Sequence, residues 1–282
     1  MESIEKKLGS INDLPTLPAV IRQVSSLIEA NETDLGKIAD VITTDSALSL
    51  RILRLVNSAF YGLRNRVTSL QHAVVALGLR AVYNLMLGLT VVKLFKNGKS
   101  THFDPELLWR HSFGCGLVSE KIAGLVKYPF PDECFIAGLL HDMGRLVLDQ
   151  FLHEEFSVAC RHRAAQKCSL LKSEKAVIGF DHAEVGAWLA QRMLIPDSFV
   201  NVIRHHHDPA QIPADFVQYR DIVRIAATSN MICNLENVGD SGERVFEESG
   251  DMLRREELGI DRSELAEAAK KEIDSTIARW NQ

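Results

Sequence analysis

"ECFIAGLLHDMGRLVLDQF", residues 133–151, sets His141 and Asp142 among side chains that are otherwise almost all apolar. Phe135, Ile136, Leu139, Leu140, Leu146, Val147 and Leu148 cover nearly every direction of the helix this spacing predicts, so the segment belongs at the centre of its domain. An ionised carboxylate buried there is strongly disfavoured unless it is paired or bound to a metal. Adjacent side chains on a helix point about 100° apart, so His141 and Asp142 could flank one ion, or the carboxylate could bridge two. The alternative pairs Asp142 with Arg145 one turn on and leaves His141 bonded to a carbonyl.

The same helical period runs through the rest of the 282 residues, and no run of β-branched residues alternates with period two. The expected class is all-α: an N-terminal helical bundle packed against a second helical domain. Thr16 is placed to cap a helix carrying Leu17, Val20, Ile21, Val24, Leu27 and Ile28 and stopping near Asn31. Thr33 starts the next, and Asp45 caps a third bearing Leu48, Ile52, Leu55 and Val56. "KNGKSTHFDP", residues 96–105, breaks the pattern and sets a boundary, giving 1–98 as the bundle and 99–235 as the second domain. The charged, Gly-rich stretch 236–257 reads as a solvated connection. Asp261 with Glu264 is placed as a capping box for a last docking helix, within a third segment 236–282.

Net charge is −5, with both signs interspersed among 24% charged residues, which gives no case for a nucleic-acid polymer or an anionic membrane as partner. Five cysteines without a CxxC pair suggest neither a disulfide framework nor a zinc knuckle. "MESIEKK" lacks a basic region leading into an apolar one, and the uncharged stretch from Ala81 to Val92 is short of the roughly 20 residues a span needs. A reducing, cytoplasmic setting is expected.

Other histidines join the pair. His111 lies in a stripe with Leu108, Cys115, Val118, Ile122 and Leu125, where a lone imidazole is ordinarily a satisfied core residue. His182 opens "HAEVGAWL", residues 182–189, and shares its inner face with Val185, Trp188 and Leu189, while Glu184 points away. "VIRHHHDP", residues 202–209, sets three histidines on a last helical turn before Pro209. Two of them can converge inward; a structural reading keeps one as a helix-terminal cation. Several imidazole-bearing helix faces turned toward one core favour a shared metal, and neutral nitrogen with carboxylate oxygen suits iron, manganese, zinc or nickel, with no cysteine in the set.

The order H…HD…H…HH, with "LLHDMGR" and "HAEVGAWL", resembles the HD superfamily of metal-dependent phosphohydrolases. More narrowly, "LPTLPAVIRQVSSLI" (14–28), "ITTDSALSLRILRLVNSAFYG" (42–62), "SLQHAVVALGLRAV" (69–82) and "FIAGLLHDMGRLVL" (135–148) resemble the bacterial HDOD proteins, output modules of signalling pathways. The likeness runs over roughly residues 8–210. It implies His111, His141 and Asp142 as metal ligands, with Asp142 able to bridge. The cyclic di-GMP-hydrolysing HD-GYP branch adds His182, His206 and His207, which leaves His205 to point elsewhere. One or two divalent ions are implied, iron or manganese before zinc or nickel. Arg145 stands where that branch has a lysine and could clamp a phosphate.

Two features depart from the enzymes. A later aspartate of the family aligns best with Ala227, beside Thr228 and Ser229, leaving only Asp208 or Asp221 as substitutes; and "DPAQIPADF" follows the histidines where GYP would stand. The resemblance therefore implies a signalling module acting through other proteins. The second reading is a phosphohydrolase of a nucleotide or cyclic dinucleotide, a phosphate-containing ligand in either case being compatible with the site. The third is a metal-free scaffold.

Overall fold

The computed structural model describes residues 2–9, 11, 14–30, 32, 34–57, 61, 63–95, 104–243, 253 and 255–281. The protein is all-α, with no strand among the described residues. After α1 (Glu2–Leu8) come α2 (Ala19–Glu29), α3 (Leu35–Thr43), α4 (Ser46–Val56), α5 (Leu70–Leu77) and α6 (Leu79–Leu94). There follow α7 (Pro105–Leu125), α8 (Pro131–Leu140), α9 (Met143–Phe151), α10 (His153–Gln166), α11 (Leu170–Val177), α12 (His182–Arg192) and α13 (Asp197–His205). Two short 3-10 turns, Pro209–Gln211 and Ala214–Tyr219, lead to α14 (Arg220–Leu235), α15 (Arg255–Leu258) and α16 (Arg262–Asn281). The helices form two compact units: Pro15–Leu94 with Asp274–Gln282, and Met1–Leu14 with Phe95–Ile273. The first fourteen residues, grouped by sequence with the N-terminal bundle, thus belong with the other unit.

In the smaller unit each short helix buries one stripe, as Val20, Ile21 and Val24 do on α2 and Leu48, Ile52, Leu55 and Val56 on α4. Full burial of such a side chain contributes about 1.5–3 kcal/mol. Asp45 caps α4 by accepting from the Leu48 N–H at 2.9 Å. α2 has Pro18 rather than Thr16 at its N-cap and no side-chain cap, and α3 is capped by Asp34; Asn31, Thr33 and residues 96–103 lie outside the described residues. Gly78, at φ +88°, supplies the left-handed turn that bends α5 from α6 by 116°. No single described helix is long and apolar enough to cross a membrane.

In the larger unit α8 packs on α7 and α12 on α9, and glycines set both approaches. A Cβ at Gly138 would lie 2.6 Å from the Cys115 carbonyl oxygen, and one at Gly144 would lie 1.8 Å from the carbonyl oxygen of His182. Backbones that close fix how α9 and α12 meet. Residues 238–243, expected to be solvated, are instead packed: Val238, Ser241 and Glu243 are buried. Asp261 accepts from the Ser263 N–H at 3.1 Å at the start of α16, while the described capping box belongs to Asp181 and Glu184 at the start of α12.

Candidate metal centre

The helix expected across 133–151 is two helices. α8 ends at Leu140 and α9 begins at Met143, so His141 and Asp142 occupy the break, with Asp142 at φ −98° and ψ 11°. The break sets Asp142 beside His182 of α12 and His206 at the end of α13, and His141 between His206 and His111 of α7. His141 and Asp142 are fully buried at their side chains. On α12 the capping box fixes the first turn and places His182, whose backbone N–H donates to Glu174 Oε2 at 2.9 Å. α13 ends at His205; His206 is its C-cap and His207 follows in the turn. Asp208 turns away to cap the next segment, accepting from the Ala210 N–H, and Asp221 is exposed.

The imidazoles share one arrangement. His141 Nδ1 donates to the Gly138 carbonyl at 2.7 Å and His206 Nδ1 to the Ile203 carbonyl at 2.9 Å, while His182 Nδ1 donates to Glu174 Oε2 at 2.6 Å. Carbonyl and carboxylate oxygens only accept, so each ring keeps a proton on Nδ1 and turns Nε2 inward. The Nε2 atoms of His182 and His206 stand 3.3 and 3.5 Å from Asp142 Oδ1, and that of His141 stands 3.4 Å from Oδ2. Neither oxygen of Asp142, nor Nε2 of His141 or His206, has a hydrogen-bond partner. These atoms face one another in a closed interior, and a cation between them would satisfy them all. Asp142, His182, His206 and His207 offer ligand atoms within 4.8 Å of one another.

Burial and the neighbouring imidazoles push His206 down to about 4, and burial holds His207 well below the usual range; both are neutral at pH 7. Burial also opposes protonation of His182, but the Glu174 carboxylate overrides it and raises the ring to about 9. Without an ion, His182 carries a proton at Nε2, 2.8 Å from His207 Nε2. Burial likewise opposes ionisation of Asp142, yet Arg145 and His141 hold its carboxyl well below the usual carboxylate range.

The HDOD domain family matches residues 14–209 of this sequence. The chain is an HDOD protein. It is 29% identical over 222 residues to an uncharacterized protein of Treponema pallidum (strain Nichols), covering 78% of this chain and 42% of that one, so it spans under half that relative's length. A Geobacter sulfurreducens HDOD domain protein of unknown function superposes with a TM-score of 0.77 at 25% identity, over 100% of this chain and 97% of that one. A Shewanella amazonensis SB2B protein provisionally named a phosphohydrolase gives 0.69 at 23%, over 96% and 94%. A Marinobacter aquaeolei VT8 protein provisionally named for signal transduction gives 0.71 at 22%, over 100% and 64%. The last two likenesses speak to the fold alone.

In this HDOD protein the expected ligand set divides. His111 stands with Cys115 and His141 in a second group. Its Nδ1 donates to the Val238 carbonyl at 3.1 Å, and its Nε2 is 3.3 Å from Cys115 Sγ and 3.0 Å from Asn230 Oδ1. Burial and His141 push His111 down to about 4, so it is neutral. Cys115, one turn after His111, stands in this second group, whereas the group around Asp142 holds no cysteine among the described residues. On α14, Asn230, three residues beyond Ala227, presents its amide to His111.

Arg145 is fully buried and faces inward. Its Nε is 3.2 Å from Asp142 Oδ1, and its Nη2 is 3.4 Å from His182 Nε2 and 4.0 Å from Glu243 Oε2. In this position it is a counter-ion of the cluster and not an open clamp. Glu174, Asn230, Cys115 and Glu243 escaped the sequence reading. The i, i+4 spacing of Cys115 from His111 and the inner-face position of Glu174 beside Leu170 and Ser173 were the available signals.

Proposed function

We propose that this HDOD protein is a signalling module whose unit Phe95–Ile273 holds a divalent metal ion and whose output is contact with other proteins. The observation that carries the metal reading is the convergence of inward Nε2 atoms on the unsatisfied carboxylate of Asp142. Asp142, His182, His206 and His207 are the proposed ligands. Their N and O donors suit iron, manganese, zinc or nickel, and the family resemblance puts iron or manganese first. Bound there, an ion supplies positive charge to Asp142 and ties α9, α12 and the end of α13 together. Glu174 keeps the His182 ring oriented, and the Gly138 and Ile203 carbonyls do the same for His141 and His206.

Asn230 and Arg145 favour a regulatory role over hydrolysis. An amide beside His111 offers a second ion no carboxylate there, and the Arg145 guanidinium already offsets the charge of Asp142. A cavity of about 280 Å³ supports phosphohydrolase activity as the second reading, because His207 lines it together with Lys172, Lys175 and Arg204. Incubating iron- or manganese-loaded protein with cyclic dinucleotides and phosphomonoesters separates the two. No metal-dependent turnover is expected; turnover abolished by Asp142→Ala would establish the enzyme instead.

A further inference from the structure

Segment 238–243 brings one more carboxylate to the buried guanidinium. The Asp240 N–H donates to the Leu107 carbonyl at 3.0 Å, the Ser241 hydroxyl donates to Asn234 Oδ1 at 2.6 Å, and Arg163 donates to the Gly242 carbonyl. Glu243 then reaches inward, its two oxygens 3.1 and 3.2 Å from the Leu170 N–H and one of them 4.0 Å from Arg145 Nη2. Leu170 opens α11, where the first backbone N–H groups have no partner within the helix. Arg145, with no exposed side-chain surface, leaves its Nη1 without a hydrogen bond.

A helix-start amide beside a dry guanidinium is the chemistry that holds oxyanions. Glu243 fills it imperfectly: its carboxylate stands off from the guanidinium at 4.0 Å instead of engaging the fork, and burial raises its carboxyl above the ordinary value. It also lines the cavity of about 280 Å³ that reaches His207, with Lys172, Lys175 and Arg204 on the walls. The other acids there are engaged, Asp181 with Lys175 at 3.0 Å and Asp208 with Gln211 at 2.7 Å.

We propose that Glu243 is a built-in occupant of an oxyanion site formed by Arg145 and the Leu170 amide, and that a small phosphate- or carboxylate-bearing ligand entering beside His207 competes with it. Displacing Glu243 loosens segment 238–243, whose other end holds the His111 ring through the Val238 carbonyl. An anion arriving at Arg145 is thus felt at His111. The proposal does not depend on a bound metal.

Calorimetric titration of the full chain with inorganic phosphate, and separately with acetate, tests it in the presence of chelator, so that binding to an ion contributes nothing. Wild type is compared with Glu243→Gln and Glu243→Ala. At least tenfold tighter binding of phosphate, acetate or both in a variant of native circular dichroism is expected. A gain for phosphate alone identifies a phosphate ligand, and one for acetate alone a carboxylate. Folded variants that gain for neither anion would overturn the proposal. Loss of fold in both would overturn it too, since Glu243 would then be core structure and not a displaceable occupant.

Discussion

Glu174→Gln separates the charge of Glu174 from its shape. In the metal-free protein the carboxylate lifts His182 from 6.5 to about 9, a preference for the protonated ring on the order of 3 kcal/mol. Below about pH 6.5 the imidazole is protonated whether folded or not, and the stabilisation is fully present. Between 6.5 and 9 the unfolded chain gives up its proton while the folded one keeps it, so stability falls; above about 9 the contribution is gone. Glutamine keeps an oxygen for the His182 Nδ1–H and backbone N–H but removes the charge. It also places an NH₂ where Glu174 Oε1 has no partner, a pH-independent loss of about 1–3 kcal/mol. Denaturant unfolding in chelator at pH 6 and pH 9.5 isolates the effect. Wild type should lose on the order of 3 kcal/mol more than the variant between the two pH values, groups common to both cancelling. Equal losses would refute the assignment of His182 as a Glu174-held cation.

Gly144→Ala sets a methyl group against the His182 backbone and should cost about 3 kcal/mol or more in urea unfolding; a loss under about 1 kcal/mol would mean that α9 and α12 separate easily. Burial, reinforced by Glu272 and Asp132, raises Glu120 to about 7, so stability falls as pH rises from about 4.5 to 7. Glu120→Gln should then exceed wild type by about 1–3 kcal/mol at pH 8 and match it at pH 4, and equal stability at pH 8 would contradict this. A metal must displace the His182 Nε2 proton, so affinity should climb about tenfold per pH unit from 6.5 to 9 and then level off. Competition with a chelating dye across that range reads the slope, and a flat profile would exclude His182 as a ligand.

Much of this architecture is legible because the helical period is strong. The stripes of α2 and α4, the apolar run around His141 and the inner face of α12 all follow from spacing. The break at His141-Asp142 is not legible: Leu139 to Met143 contains no proline or glycine, and only the packed structure shows a turn there that sets Asp142 against His182 and His206. Nor are the supporting groups. Glu174 in "KSEK" and Glu243 in "DSGER" look like solvated charges, and only packing of segments far apart in sequence buries them against His182 and Arg145. Asn230 lies three residues beyond Ala227 on α14, and its place beside His111 follows from the packing of α14 on α7, which spacing alone does not give.

Elemental analysis of the purified wild type beside Asp142→Ala and His206→Ala tests the metal centre most directly. A near-stoichiometric divalent metal in the wild type, lost from both folded variants, is the expected result. A wild type without metal after purification and reconstitution with iron, manganese, zinc or nickel, or variants that keep it, would contradict the centre.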